Sequence, residues 1–267
     1  MRSLIVESPV SGPPDLHLPA LESHPGTILL CSGSPTGPHA RYSLLATRPF
    51  LRFQSRGAVC EVTSARGRST WFGNPWHVLN DLLNRYEVRD EIDRPFPLGG
   101  AFGYWGYDLR HHIETRLPGR HAPGLDLPQT HVGFHDSLVV FDHALHTAFI
   151  IATGLHLDGS RSLETAQRQV EFWQELLASP VPARHLPPSA SPPQVTPDSS
   201  LDEAGFIAAV NAAQRYIRAG DIYQVNLSHR LAVDWAGQGA ELFCRLLAVS
   251  PAPFAAYLEG DNFQLAS

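Results

Sequence analysis

A proline-rich segment divides this chain and limits what it can fold into. Residues 179–200, SPVPARHLPPSASPPQVTPDSS, combine repeated prolines with small polar residues. This composition offers little to a hydrophobic core and favours an extended, exposed connection. It separates a body, residues 1–178, from a tail, residues 201–267, that is too short to close a core of its own. We therefore expect either that the tail completes a sheet of the body or that the chain is a fragment whose remainder is missing.

The composition is that of a globular protein. The chain has 267 residues, of which 43% are hydrophobic, and a formal net charge of -6. Without a basic field, binding to nucleic acid or to an anionic membrane surface is not expected. The N-terminus lacks the apolar run of a secretory signal, and no stretch has the length of a membrane span, so we expect a cytoplasmic location.

The cysteines indicate a reducing environment. Cys31, Cys60 and Cys244 are odd in number and far apart, and the chain has no C-x-x-C pair. This pattern argues against a disulfide framework and against a structural zinc site. We expect three reduced, mostly buried thiols.

In the body, several segments carry clear secondary-structure signals. Residues 27–33 and 50–63 have the composition of strands, and residues 136–154 predict a hairpin of two apolar strands. Asn74 and Pro75 form a plausible N-cap and first helical residue, followed by apolar residues at helical spacing.

Three further helices are predicted along the chain. Ser160 or Ser162 opens one of them, with apolar residues on a single stripe. Ser200 and Glu203 have the spacing of a capping box at the start of the next, and Gly220 supplies its left-handed end. The buried stripe of that helix is predicted to be Phe206, Val210, Ala213 and Ile217. The last helix is predicted over residues 239–249.

Two strand predictions in the tail bear on function. In AGDIYQVNLSHRL, residues 219–231, polar side chains alternate with apolar ones from position 223 to 230. The polar face of such a strand is either solvated or lines a site. After the last helix, FAAYLEG predicts a strand, Asp261 and Asn262 a hairpin turn, and FQLAS a second strand.

Local motifs give no complete catalytic constellation. The glycines of PLGGAFGYWGYDLRHHIE recur every third residue, which fits neither phosphate-loop pattern and favours close backbone packing in a strand. His111, His112 and His121 lack the spacing of a metal site and are interpreted as surface residues. Asp108 and Glu114 are weak candidates for paired carboxylates.

Three segments taken in order, GGAFGYWGYDL, AGDIYQVNLSHRL and SPAPFAAYLEGDNFQLAS, resemble the first component of the chorismate-utilising amidotransferases. This family includes aminodeoxychorismate synthase component I and anthranilate synthase component I. The segment LLCSG and the pair Arg41-Tyr42 also match the family pattern. Gln224 to Leu227, Gly106 to Leu109 and PAPF are more similar to the aminodeoxychorismate branch.

The resemblance implies an α+β fold with two mainly antiparallel sheets packed face to face and flanked by helices, incomplete at the C-terminus. It also implies a division into an N-terminal domain, residues 1–178, a linker, residues 179–200, and the start of a chorismate-binding domain, residues 201–267. The implied substrate is chorismate, with Mg²⁺ as cofactor and ammonia supplied by a glutamine amidotransferase subunit.

The resemblance places the catalytic and Mg²⁺-binding motifs after residue 267, so it implies no catalytic residue within this chain and no activity of the chain alone. It does imply one site inside the chain, at which some family members bind tryptophan. Carried over by motif, that site consists of Ser32, Arg41, Tyr42, Pro253, Phe254 and Ala255.

Overall fold

The computed structural model describes residues 1–9, 12–21, 23–32, 40–114, 116, 125–179 and 196–267. By internal contacts the chain separates into two compact units, one formed by residues 1–184 with 238–267 and the other by residues 185–237.

The secondary structure is mixed. The strands are β1 (Leu4–Pro9), β2 (Ile28–Cys31), β3 (Tyr42–Ala46), β4 (Leu51–Arg56), β5 (Val59–Ser64), β6 (Gly67–Phe72), β7 (Gly100–Trp105), β8 (Thr130–His135), β9 (Ser137–Asp142), β10 (Thr147–Ala152), β11 (Asp198–Ser199), β12 (Leu231–Ala232), β13 (Ala255–Glu259) and β14 (Gln264–Ala266). The α-helices are α1 (Pro75–Arg85), α2 (Leu163–Ala178), α3 (Glu203–Ala219) and α4 (Gly239–Val249). Short 3-10 helices cover Pro14–His17, Pro19–Leu21 and Tyr107–His112.

A seven-stranded antiparallel sheet forms the centre of the first unit. Its strand order is β1-β10-β9-β3-β2-β13-β14. Both β9 and β10 are buried along their whole length, which explains their near-continuous apolar sequences. Helices α2 and α4 cover one face, where Trp173 and Phe243 enter the same hydrophobic cluster as Leu29 and Ile150.

A five-stranded antiparallel sheet, β6-β5-β4-β8-β7, completes the first unit. Helix α1 covers one of its faces, with Leu79 and Tyr86 packed in the same cluster as Phe53 and Val132. The helix begins as predicted, because the Asn74 side chain accepts a hydrogen bond from the Trp76 amide, 3.0 Å away.

The two sheets are joined directly. Strand β8 ends one residue before β9 begins, so Asp136 alone separates the two sheets along the chain. Phe102 of the five-stranded sheet packs against the cluster on the second face of the seven-stranded sheet, together with Phe96 and Leu98. This arrangement confirms the prediction of an α+β fold built from antiparallel sheets with flanking helices.

Most element predictions in the first unit are confirmed. The hairpin of residues 136–154 is β9 and β10, with Asp142 paired to Thr147. Ser162, rather than Ser160, caps α2 by accepting a hydrogen bond from the Thr165 amide. Helix α4 has the bounds predicted from sequence.

The end of the chain adds two strands to the seven-stranded sheet. Strand β13 pairs with β2, and β14 pairs with β13. The tail therefore completes a sheet of the body, one of the two alternatives drawn from its length. Because α4, β13 and β14 pack in the first unit, the division by contacts differs from the sequence-based division at residues 179–200, which remains a prediction.

The capping-box prediction at Ser200 and Glu203 is wrong. Asp202 is the N-cap of α3, and its carboxylate accepts a hydrogen bond from the Gly205 amide at 2.7 Å. The Ser200 hydroxyl instead accepts a hydrogen bond from the amide of Arg230. The C-terminal prediction is confirmed, since Gly220 ends the helix with φ 80°.

Two other predictions in residues 196–237 are wrong. Residues 223–230 form no strand and are exposed throughout, because the ladder pairing between β11 and β12 begins only at Leu231. The predicted stripe of α3 is not buried either, and Phe206 and Ile217 are exposed within this unit. Alternation and helical spacing describe a face that suits burial, but burial itself requires a neighbouring element.

A smaller difference from the predictions concerns the position of the histidines. His111 and His112 lie in a 3-10 helix, not in a strand, while His121 falls outside the described residues.

Over the ranges that the structure describes, none of the helices combines the length and apolar character needed to cross a membrane.

Gly103 confirms the prediction of close backbone packing. It pairs with Val132, and a Cβ atom at this position would overlap the His131 carbonyl oxygen and lie 2.7 Å from the Val132 Cα. Backbone atoms of the paired neighbouring strand β8 cannot move aside as a flexible side chain can.

We therefore predict that Gly103→Ala destabilises the protein by about 1–3 kcal/mol through overpacking. Gly73→Ala is the matched control, because no atom lies within 4 Å of the added methyl group. Its effect should stay within about 0.5 kcal/mol. Urea unfolding of both variants measures the difference, and equal effects would contradict the packing argument.

The Asp136 carboxyl group is buried at the junction between the two sheets, and this burial destabilises its charged form. Burial raises the pKa of its carboxyl group to about 6, although Arg48 and Gln169 act in the opposite direction. The folded state therefore favours the protonated acid. The contribution of this group to stability is full below its ordinary pKa and is lost as the pH rises through about 6.

We predict that Asp136→Asn stabilises the protein at pH 7 by about 1–2 kcal/mol and has little effect at pH 4. Asp158→Asn is the control with opposite sign, because hydrogen bonds from Ser160 lower the pKa of the exposed Asp158 carboxyl. Urea unfolding at both pH values tests this. A loss of stability in Asp136→Asn at pH 7 would show that the charged carboxylate is needed at the junction.

Candidate functional site

One end of the seven-stranded sheet brings together segments that lie far apart in sequence. Strand β13 runs antiparallel to β2 with Ala255 opposite Cys31. On its other side β2 pairs with β3. The Ser32 amide donates a hydrogen bond to Ser43 Oγ, and the Ser32 hydroxyl donates one to the Tyr42 carbonyl, each at 3.0 Å. Ser32, Tyr42 and Ala255 are thus held at adjacent positions by strand pairing and by the two hydrogen bonds of Ser32.

Arg41 is held by an ion pair. Its guanidinium donates hydrogen bonds to both oxygens of Asp142, with the shortest N···O distance at 3.0 Å, and lies 4.9 Å from the Tyr42 ring centroid. Burial raises the pKa of Asp142, but hydrogen bonds from Arg41 and from the amides of Leu145 and Ala144 outweigh it, so the net pKa is lowered. The Arg41 side chain remains 52% exposed, so it can still approach an anionic group.

The predicted residues do not share one face of the sheet. The Tyr42 ring packs on the face that holds Phe96, with ring centroids 6.0 Å apart. Ala255 and Cys31 belong to the opposite face, beneath α2 and α4. Ser43 lies on that face with them, because neighbouring strand residues point to opposite sides.

Pro253 and Phe254 precede β13 and are exposed, Phe254 by 77%. Ala255, the next residue, is buried. Of these three residues carried over for tryptophan binding, only Ala255 is held in the sheet, and the other two are exposed beside it. Residues 33–39, which include His39, fall outside the described residues.

Sequence reasoning missed several buried polar groups on this face. Ser43 Oγ lies 2.7 Å from His143 Nε2, and the Cys244 thiol donates to the Asp15 carbonyl at 3.5 Å. His17 is 1% exposed and packs against Phe141 with ring centroids 5.9 Å apart. Strand alternation could have identified Ser43, whereas a histidine in a 3-10 helix carries no such signal.

The imidazole of His17 is an unusual feature of this cluster. Its Nε2 atom is buried and has no hydrogen-bond partner among the residues described. A buried polar atom without a partner is costly, so such an atom often marks a place where water or a ligand binds.

Burial favours the neutral forms of three ionisable groups of this face, Cys31, His17 and His143. Burial raises the pKa of the Cys31 thiol to about 11 and lowers the pKa of both His17 and His143. A protonated thiol is a poor nucleophile. The arrangement therefore suits binding through hydrogen bonds and apolar contact, not covalent catalysis.

The described residues also bear on whether the chain can bind a metal ion. Among the described residues, no group of three or more His, Cys, Asp or Glu side chains could hold a metal ion. Asp108, one of the weak carboxylate candidates, is exposed and paired with Arg110. The implied Mg²⁺ remains a prediction.

Comparison with known protein families gives a match over most of the chain. Residues 37–267 match the family described as chorismate binding enzyme. Anthranilate synthase component 1 of Acetivibrio thermocellus is 28% identical over 233 residues, covering 85% of this chain and 47% of that protein. Aminodeoxychorismate synthase component 1 of Escherichia coli is 27% identical over 247 residues, covering 91% and 50%.

The fold has a counterpart among solved structures. The crystal structure of anthranilate synthase component I from Streptococcus pneumoniae TIGR4 matches with a TM-score of 0.68 at 23% identity, covering 86% of this chain and 50% of that chain. The chain thus spans about half the length of the relatives it matches.

Proposed function

Because this chain belongs to the family of chorismate-binding enzymes, we propose that it is the amino-terminal portion of an aminodeoxychorismate synthase component I. The observation that carries the proposal is the family match over residues 37–267, which includes the segment GDIYQVNL. The choice of branch rests on the residues of that segment and on PAPF, residues 251–254.

The proposed reaction converts chorismate and ammonia to 4-amino-4-deoxychorismate, a precursor of 4-aminobenzoate in folate biosynthesis. Ammonia comes from a glutamine amidotransferase subunit, and Mg²⁺, when bound, neutralises a carboxylate of the substrate. No residue of this chain is assigned to the metal or to a catalytic step. Within this proposal the 267-residue chain is inactive by itself.

One alternative within the family is anthranilate synthase component I, which relatives of both names at 27–28% identity keep open. Another alternative, of a different class, is a tryptophan-binding regulatory module without catalytic activity. The uncharged thiol and imidazoles of Cys31, His17 and His143 favour binding over catalysis and support this second alternative.

A product assay tests the proposed reaction. The native protein that carries this chain is supplied with chorismate, ammonium and Mg²⁺, and 4-amino-4-deoxychorismate is expected. Anthranilate as the product would support the alternative enzyme, and tryptophan binding without turnover would support the regulatory module. The isolated 267-residue chain should form neither product, so turnover by the isolated chain would contradict the proposed inactivity.

We also propose that L-tryptophan binds at the end of the seven-stranded sheet near Ser32 and Ala255. The exposed Arg41 guanidinium can approach the ligand carboxylate, and Pro253 and Phe254 can cover the indole. The unpartnered Nε2 of His17 supports a ligand or water on the face beneath α4.

L-Tryptophan at about 100 times its Kd should stabilise the protein by about 2.7 kcal/mol, which corresponds to a rise in Tm of roughly 5–10 °C. D-Tryptophan serves as the ligand control. Ala255→Leu should abolish the shift, whereas Ala256→Leu, on the other face of β13, should retain it. Equal shifts in both variants, or no shift at millimolar L-tryptophan, would refute this site.

A further inference from the structure

The first unit contains a cavity of about 550 Å³ that is separate from the residues of the candidate site. It lies between the C-terminal end of α1, residues 87–101 and the end of β8. Ligand pockets for small molecules typically have volumes of about 300–1,000 Å³ and mostly apolar linings. The volume is therefore sufficient for a small organic molecule.

One wall of the cavity is aromatic. Phe50, Tyr86 and Phe134 are mutually edge-to-face, with ring centroids 5.0 Å apart for Phe50 and Tyr86 and 6.0 Å apart for Tyr86 and Phe134. The Tyr86 hydroxyl donates a hydrogen bond to the Leu157 carbonyl at 3.0 Å. Because that hydroxyl is bonded to the backbone, the rings offer apolar edges and faces to the cavity.

The opposite wall is fixed by packing. Phe96 and Leu98 are each 8% exposed. Phe96 stacks on Phe149 of β10 with centroids 5.4 Å apart. Side chains held in this way leave a cavity that needs little rearrangement to accept a ligand, which lowers the cost of binding.

The charged groups of the lining are two carboxylates, and each is paired with an arginine outside the lining. Glu87 pairs with Arg89 and Asp90 with Arg161, while none of the described lining residues is itself a lysine or an arginine. His135 is buried between the carbonyl oxygens of Gly133 and Gly26, each 3.1 Å from a ring nitrogen. Burial lowers its pKa to about 4, so the imidazole is neutral at pH 7. An anionic ligand would lose its hydration in this mostly apolar cavity without a cation in the described lining to pair with.

Asp90 offers a direct hydrogen-bond acceptor. Its Oδ2 accepts hydrogen bonds from Ser3 and Arg161, whereas its Oδ1 accepts one from Arg161 at 2.9 Å. A carboxylate oxygen can accept two hydrogen bonds, so Oδ1 has room for a donor from a ligand.

From these walls and charges we propose that the cavity binds an uncharged, planar aromatic molecule with a hydroxyl or N–H group directed at Asp90. The rings of Phe50, Tyr86 and Phe134 contact the aromatic body of the ligand. Chorismate, which carries two carboxylates, would find no cation in the described lining to pair with. The proposal therefore concerns a second ligand and is independent of the proposed reaction.

Equilibrium dialysis with two probes of equal size tests the ligand class. 2-Naphthol is uncharged at pH 7 and carries a hydroxyl group, while naphthalene-2-carboxylate is an anion. We expect 2-naphthol to bind the wild-type chain with a submillimolar Kd and the carboxylate to bind at least tenfold more weakly. Equal affinities, or no binding of 2-naphthol, would overturn the proposal.

Variants locate the site. Ala101→Phe adds a ring to a cavity-lining residue and should weaken 2-naphthol binding at least tenfold, whereas Ala58→Phe adds the same ring to the exposed turn after β4 and should not. Glu87→Lys, at a half-exposed position, keeps the test decisive if Ala101→Phe does not fold. This variant should reduce the ratio of the naphthalene-2-carboxylate Kd to the 2-naphthol Kd at least threefold. An unchanged ratio in Glu87→Lys, or undiminished binding in folded Ala101→Phe, would show that the probe binds elsewhere.

Discussion

The rest of the first unit depends on one constraint. At Asp136 the chain passes directly from the five-stranded sheet to the seven-stranded sheet. Strand β8 pairs within the five-stranded sheet and β9 within the seven-stranded sheet, with a single residue between them. Strands β3 and β4 make a second passage beside it, and the Phe50 amide donates to the Phe134 carbonyl at 3.0 Å. Two adjacent passages fix the sheets relative to each other at this corner.

Polar groups must be satisfied where the sheets meet, because a corner interrupts regular ladder pairing. Thr153 meets part of this requirement, since its amide and hydroxyl both donate to the Asp136 carbonyl. His135 bridges toward the Gly26 carbonyl. A neutral imidazole has one N–H, so it can donate to only one of its two neighbouring carbonyls. Burial at the same corner also destabilises the charged form of Asp136, which raises the pKa of its carboxyl group.

The two proposed binding regions lie at different distances from this corner. The aromatic cavity lies next to it, lined by Phe134 and His135. The candidate tryptophan site lies at the other ends of β3 and β9, where Arg41 meets Asp142. Strand β13 reaches that end through its register with β2, and the hairpin that follows reaches back to the five-stranded sheet, where Asp261 pairs with Arg52 and Phe263 packs on His131. The ring centroids of this last contact are 5.3 Å apart.

The sequence alone determined those features that local chemistry controls. Asn74 and Gly220 end helices because a side-chain oxygen or a left-handed residue satisfies backbone groups within the same turn. The motifs of residues 99–109, 219–231 and 250–267, taken together, pointed to the family that the comparison shows. Tertiary structure decided what depends on distant partners. Residues 223–230 alternate like a strand and yet form no ladder in the described part of their unit, where only Arg230 bonds to the neighbouring Ser200. Ser43 lies beside Cys31, and His17 against Phe141, only because strands and a 3-10 helix pack there. Burial and pairing are properties of two surfaces, and a sequence pattern specifies only one of them.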